Sequence, residues 1–258
     1  VAPAVTAFAA TLPILFIYTL FFISQFKYYV SGFVGVLPDE TSYANYAREG
    51  FFQLCIICFI NLVIIILLNL LLRRNSKGYS LPLKILSVIF SLYTLVLAST
   101  AVAKMVLYIN RYGLTPKRVY ATWFMAVLSL IFIAMLIKQF VPKFKVIPTA
   151  TIITVAMFLA LGLCGTDGLI AKYNVNAYLN GKLDTVDLVS LEELGDAAIP
   201  ELVSLKDTLN ETPNPAYDKK IIAIKANDII SKYEATSQNH SWQSITLPAI
   251  LAEDSIEE

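Results

Sequence analysis

Phe51-Phe-Gln-Leu-Cys-Ile-Ile-Cys-Phe-Ile-Asn-Leu-Val-Ile-Ile-Ile-Leu-Leu-Asn-Leu-Leu-Leu72 is a run of 22 residues without a single charge. Coiled as an α-helix it reaches about 33 Å, enough to cross a hydrocarbon layer of roughly 30 Å. Four more apolar runs flank it: Ala4 to Ser24, kinked at Pro13; Leu83 to Asn110; Val119 to Phe140; and Thr149 to Thr166, the shortest. Buried helices of water-soluble proteins rarely repeat this pattern five times in succession. The expectation is an all-α fold: a polytopic membrane helix bundle of about five transmembrane helices, followed by a small C-terminal soluble helical domain.

Composition points the same way. Hydrophobic residues make up 57% of the chain and charged residues 15%, where a soluble globular protein has about 45–50% and about 25%. The net charge of +1 conceals a division. Residues 1–166 carry 13 Lys and Arg against 3 Asp and Glu, a net +10; residues 167–258 carry 7 against 16, a net −9. The boundary is placed there, with 1–166 a transmembrane helix bundle and 167–258 an acidic helical extramembrane tail. The basic residues are scattered between apolar runs and form no stripe, which argues against nucleic acid; the partner required is a lipid bilayer. The chain opens on Val1 without a basic n-region or a small-residue cleavage pattern, so the first run is not a secretory signal and further helices are expected upstream.

Links between the runs set a topology. Arg73, Arg74, Lys77, Lys84, Lys138, Lys143 and Lys145 share one side of the membrane; Lys27, Arg48, Arg111, Lys117, Arg118 and Lys172 share the other, with Asp39, Glu40 and Glu49. An excess of Lys and Arg marks the cytoplasmic side. Seven against six places the first side in the cytoplasm, by a narrow margin, and the tail outside. Tyr28, Tyr29, Tyr43, Tyr46, Tyr108, Tyr112, Tyr120 and Trp123 fall near the tail side, as an interfacial aromatic belt does.

The tail reads as helices. Asp187 is positioned to cap a short helix through Leu194, stopped by Gly195; Asp196 then caps Ala197 to Leu209, where Ile199, Leu202, Val203 and Leu205 recur at helical spacing. Asn214-Pro215 opens a third helix, Ala216 to Glu234. The stretch Trp242 to Pro248 reads as extended, and Glu253 to Glu258 as frayed. Leu194-Gly-Asp-Ala-Ala-Ile-Pro-Glu-Leu202 has the pattern of one HEAT-like helical unit, whereas a solenoid needs about three.

Three polar clusters lie on the tail side. In Pro38-Asp-Glu-Thr-Ser-Tyr-Ala-Asn-Tyr-Ala-Arg-Glu-Gly50, Asp39 or Thr41 caps a helix that runs into the second span. That segment is either an interfacial lead-in or a ligand site lined by Glu40, Tyr43, Arg48 and Glu49. In the second cluster Lys104, Tyr108 and Arg111 share one helix face; Lys104 either snorkels to the surface or is a buried cation paired with Glu40 or Glu49. Gly113 ends that helix, Thr115 caps the next and Pro116 is its first residue. Lys117 and Arg118 then stand in a first turn, where the helix dipole disfavours cations, so a partner is expected: lipid phosphate, a carboxylate of the first cluster, or an anionic substrate. The third cluster, Thr166-Asp-Gly-Leu-Ile-Ala-Lys-Tyr-Asn174, is a junction in which Asp167 caps the following helix and Lys172 and Tyr173 sit at headgroup level.

Within the membrane, Asn61 and Asn69 mark interhelical hydrogen bonds. Cys55, Cys58 and Cys164 all lie in apolar runs. The Cys-x-x-Cys spacing of the first two admits a redox or metal pair, but with His240 the sole histidine no second ligand pair completes a site, and small apolar packing residues are the simpler reading. No Gly-rich phosphate loop, His-Glu-x-x-His or Gly-x-Ser-x-Gly occurs. No cofactor, metal site or catalytic residue is assigned. The candidate binding residues are Glu40, Tyr43, Arg48, Glu49, Lys104, Tyr108, Arg111, Arg118, Asp167 and Lys172.

The strings Pro38-Asp-Glu-Thr-Ser-Tyr-Ala-Asn-Tyr-Ala-Arg-Glu-Gly-Phe-Phe-Gln53, Tyr108-Ile-Asn-Arg-Tyr-Gly-Leu-Thr-Pro-Lys-Arg118 and Asp167-Gly-Leu-Ile-Ala-Lys-Tyr-Asn-Val-Asn176 resemble a bacterial integral membrane family, the domain-of-unknown-function family 4153/4173. The resemblance runs from about Pro38 to Leu205. It implies a longer polytopic protein of the bacterial cytoplasmic membrane and transfers no catalytic residue. Members commonly end in a basic stretch after a Trp-containing segment; here an acidic end follows Trp242. The resulting expectation is a non-enzymatic envelope sensor or partner-binding protein using its tail-side face, its partner another envelope protein or an anionic lipid headgroup. The alternatives are a membrane transporter, with Lys104 and the intramembrane asparagines along its path, and an enzyme acting on a lipid-linked envelope substrate with Glu40 or Glu49 as base.

Overall fold

The computed structural model describes residues 4–24, 26, 43–71, 81–141, 143–213, 217–237 and 246–257. Every element among them is helical. The five apolar runs become α1 (Ala4–Ser24), α2 (Tyr43–Leu71), α3 (Leu81–Tyr112), α4 (Pro116–Phe140) and α5 (Val146–Leu163). Among the described residues, stretches of four of these, Gly50–Leu67, Lys84–Tyr112, Pro116–Phe140 and Val146–Leu163, are long and apolar enough to cross a membrane. α1 is likewise 21 residues without a charge. The lead-in expected before the second span is continuous with it, since α2 starts at Tyr43; the proposed caps Asp39 and Thr41, and Glu40, lie outside the described residues. The protein is an all-α polytopic membrane bundle with further helices after it.

The chain divides into two compact units, one formed by Val1–Tyr108 and Tyr120–Phe158, the other by Ile109–Val119 and Leu159–Glu258. The first has a core to which four helices contribute: Leu15 of α1, Ile65 of α2, Leu86 and Phe90 of α3, and Phe132 of α4. A polar thread runs through it. Tyr18 donates to Asn61 Oδ1 (2.8 Å), and Asn61 Nδ2 donates to Thr94 Oγ1 (2.9 Å), which in turn donates to the Phe90 carbonyl. Asn61 and Thr94 are fully buried, so these bonds replace what water cannot supply inside a bilayer. Asn61 is thus the interhelical link its position suggested, whereas the side chain of Asn69 lies outside the described residues. Cys58 Sγ lies 3.8 Å from the Thr94 carbonyl, and Cys55 and Cys58 are both buried free thiols, as packing residues are. No residue of α5 is buried; an apolar helix left uncovered in this way belongs in lipid.

The second unit is built from α6 (Thr166–Leu179), α7 (Leu188–Glu192), a 3₁₀ turn (Gly195–Ala198), α8 (Ile199–Glu211), α9 (Tyr217–Ser237) and α10 (Leu247–Glu257). Ile199, Leu202, Leu205 and Leu209 form the buried stripe of α8, joined by Ile170 and Val175 of α6, Ala223, Ala226 and Ile230 of α9 and Ala252 of α10. Leu114 and Val119 pack against this core.

Four local expectations are corrected. Asp196 does not cap a helix: it sits inside the 3₁₀ turn, and α8 starts at Ile199 with no side-chain cap, Pro200 occupying its first turn. Asp167 is not a cap either, because α6 starts at Thr166 and Gly165 precedes it in a left-handed conformation (φ 56°); Asp167 stands in the first turn, where a carboxylate suits the dipole. Leu247 and Pro248 open a helix instead of ending an extended strand, Pro being tolerated in a first turn. The end is not frayed up to Glu257, since Ala252 is buried and Ile256 packs on the core. Asn214, Pro215 and Trp242 lie outside the described residues.

Candidate functional site

The turn between α3 and α4 is three residues long and folds as the sequence requires. Gly113 stops α3 with φ 75°, and its N–H donates to the Ile109 carbonyl at 2.8 Å, a left-handed termination that glycine alone adopts without strain. The Thr115 carbonyl then accepts from Arg118 N and Val119 N, both at 3.0 Å, and Pro116 begins α4 where its missing N–H costs nothing.

What holds this turn comes from sixty residues away. Asn174 of α6 is buried and grips Leu114 at both ends: Leu114 N donates to its Oδ1 (2.7 Å) and its Nδ2 donates to the Leu114 carbonyl (2.8 Å). The side-chain amide imitates a neighbouring strand. Gly113 is also steric here, because a Cβ on it would lie 2.6 Å from Asn174 Oδ1. Tyr173 adds a contact to Asn110 at 3.5 Å, the long limit for such a bond.

Charged groups surround the turn. Arg118 Nη1 donates to the Tyr112 carbonyl (2.9 Å) and to the Gly113 carbonyl. Its partner is therefore the negative end of the helix before it, which offsets its unfavourable place in the first turn of α4. Arg111 Nη1 meets Asp184 Oδ2 at 2.7 Å, an exposed pair. Asp187 caps α7, accepting from Ser190 N (3.1 Å) and from Ser190 Oγ (2.6 Å). The Ser190 hydroxyl bond is the main reason its carboxyl titrates below its usual value, with Arg118 adding a smaller effect. Together the turn, Asn174, Leu183, Val186 and Ser190 line a pocket of about 430 Å3, whose lining also includes Arg111, Arg118, Thr185 and Asp187.

The predicted site residues separate. Arg111 and Arg118 line this pocket. Lys172 of α6 is exposed, and it opposes the rise in the pKa of Glu201, on α8, that burial causes. Asp167 is half-buried. Arg48, Lys104 and Tyr108 belong to the other compact unit. There Arg48 is exposed and Tyr108 half-buried, while Lys104 is fully buried; its expected pairing with Glu40 or Glu49 falls on side chains outside the described residues. Tyr43 and Glu49 are helical, with side chains outside the description, and Glu40 is outside it altogether. The residues passed over were Asn174 and Asp184. Asn174 stood inside a quoted cluster, and a polar residue between Ile170 and Val175 on an apolar face was the one available signal.

A family model described as a domain of unknown function, DUF4153, matches residues 2–205. The chain belongs to the DUF4153 family. The DUF4153 match takes in α1 to α7, ends within α8, and so includes both halves of the Asn174–Leu114 contact. No curated protein and no solved structure matches the chain.

Proposed function

We propose that this DUF4153 protein is a multi-pass protein of a bacterial cytoplasmic membrane that binds a partner, without catalysing a reaction, through the face formed by its tail and the α3–α4 turn. One observation supports the reading above others. Arg111 and Arg118, which flank a short turn between two apolar helices, line a single open pocket together with Asn174, Asp187 and Ser190 of the tail. Exposed apolar side chains on the same unit, among them Val189, Tyr217, Ile224 and Leu247, add area of the kind a protein partner covers.

The test places a photo-crosslinking amino acid at Thr185, on the pocket wall, and at Asn210, exposed on α8. Irradiation of intact cells is expected to give a discrete adduct from Thr185 that disappears when Arg111→Ala and Arg118→Ala are added, and none from Asn210. Equal adducts from both positions, or none from Thr185, would reject the reading.

A second reading, transport, draws support from the first unit, where Lys104 is fully buried on a membrane-spanning helix that also carries the buried Ser87, Ser91, Thr94 and Thr100. Ionisable groups at such depth commonly mark a solute or ion path. Flux in reconstituted vesicles that Lys104→Met abolishes would favour transport over partner binding.

A further inference from the structure

Resting on the partner-binding reading, we infer that the α3–α4 pocket binds a phosphate group, with Arg111 as its main ligand and Asp184 as an internal competitor for that arginine. α3 carries a candidate span that ends at Tyr112, and α4 carries one that begins at Pro116. Three residues separate them, so a chain that crosses the bilayer twice here must turn at its surface. Arg111 is in the last turn of α3, at the depth of lipid headgroups.

Chemistry follows. Guanidinium presents a planar fork that matches two oxygens of a phosphate. Arg111 gives Asp184 a single Nη1–Oδ2 contact, and the two side chains are 57% and 74% exposed. An exposed pair of this kind holds weakly, so a phosphate that takes two oxygens to the fork displaces Asp184 at little cost. Arg118, Thr115 and Thr185 line the same pocket. The acid in the wall, Asp187, has both carboxylate oxygens engaged by Ser190 N and Oγ. At about 430 Å3 the pocket admits a phosphate with a substituent attached. A phosphate of a lipid headgroup and one free in solution share this recognition.

The experiment uses the full chain purified in detergent. Retention of added phosphatidylglycerol is followed by native mass spectrometry, and inorganic phosphate is titrated by calorimetry, each with the native protein, Arg111→Gln and Asp184→Asn. Binding of either probe is expected to weaken about tenfold or more in Arg111→Gln and to tighten up to about fivefold in Asp184→Asn. Phosphatidylglycerol alone binding identifies the lipid as the source; inorganic phosphate binding as well identifies the group itself as sufficient. The inference is overturned if neither probe binds, or if Asp184→Asn, which leaves Arg111 in place, fails to tighten binding. Should that occur while the Thr185 adduct persists, phosphate recognition falls and partner binding stands.

Discussion

Replacing Gly113 by alanine should unsettle the tail, and the amount can be worked out from the contact with Asn174. The left-handed backbone at φ 75° costs a non-glycine residue about 1–2 kcal/mol. The new Cβ would lie 2.6 Å from Asn174 Oδ1, so the amide must swing away and release both of its bonds to Leu114. Each is worth about 1 kcal/mol, and a peptide group left without a partner adds about as much again. Leu114 is half-buried, so some of that loss returns to water, leaving about 2 kcal/mol for the contact and about 3–4 kcal/mol for the substitution. Asn174→Ala alone should cost about 2 kcal/mol. The double variant should cost no more than Gly113→Ala, because the alanine at 174 has nothing to clash with and no bond left to break; the coupling is therefore about 2 kcal/mol. Denaturant unfolding in detergent, followed by circular dichroism together with amide exchange across residues 109–119, measures the cycle. Costs that add within about 0.5 kcal/mol would refute the reasoning, since independent sites behave that way.

Asn61→Leu removes the middle of the Tyr18–Asn61–Thr94 thread and should destabilise the bundle by about 1 kcal/mol in unfolding titrations with a denaturing detergent, the usual size of such interhelical bonds in membranes. Asp187→Ala should cost about 1 kcal/mol through loss of the α7 cap. Because the Asp187 carboxyl titrates below its ordinary 3.8 in the folded protein, its contribution is complete above about pH 4 and fades as the pH falls through the lower folded value; the Ala variant should lose that part of the acid dependence of the melting curve.

The membrane helices were legible because a single requirement, satisfying the backbone in lipid, dictates long apolar runs whatever their neighbours do. α2 runs from Tyr43 through the uncharged stretch to Leu71, and Pro116 starts α4, as local rules demand. The ends of the tail helices were less legible. Asp196 looks like a cap in sequence, but Gly195 (φ 61°) tightens the chain into a 3₁₀ turn there, and the choice between an Asp cap and a turn is made by packing. The site was half legible. Arg118 announced itself by standing where a helix dipole opposes it, and a partner was expected; that the partner is a pair of carbonyls five and six residues earlier depends on the tightness of a three-residue turn. Asn174 and Asp184 left little trace, because their partners are 60 and 73 residues distant and no periodicity encodes such a pairing.

Why a turn between two apolar helices clusters with the tail follows from the groups it exposes. The last carbonyls of α3 and the first N–H groups of α4 have no partners within their own helices, and a three-residue link leaves no room for a capping loop. Arg118 answers the Tyr112 and Gly113 carbonyls, Asn174 answers both polar groups of Leu114, and the Leu114 and Val119 side chains pack against the tail core. Each of these ties crosses from the turn to the tail or closes the turn on itself, so the turn cannot keep this shape once the tail unfolds. Amide exchange at Leu114 should then follow the tail helices, rising together with exchange in α8 when Leu202→Ala opens their core at a cost of about 2–5 kcal/mol. Exchange at Leu114 that stays slow while α8 opens would mean that the turn draws its order from the membrane helices alone.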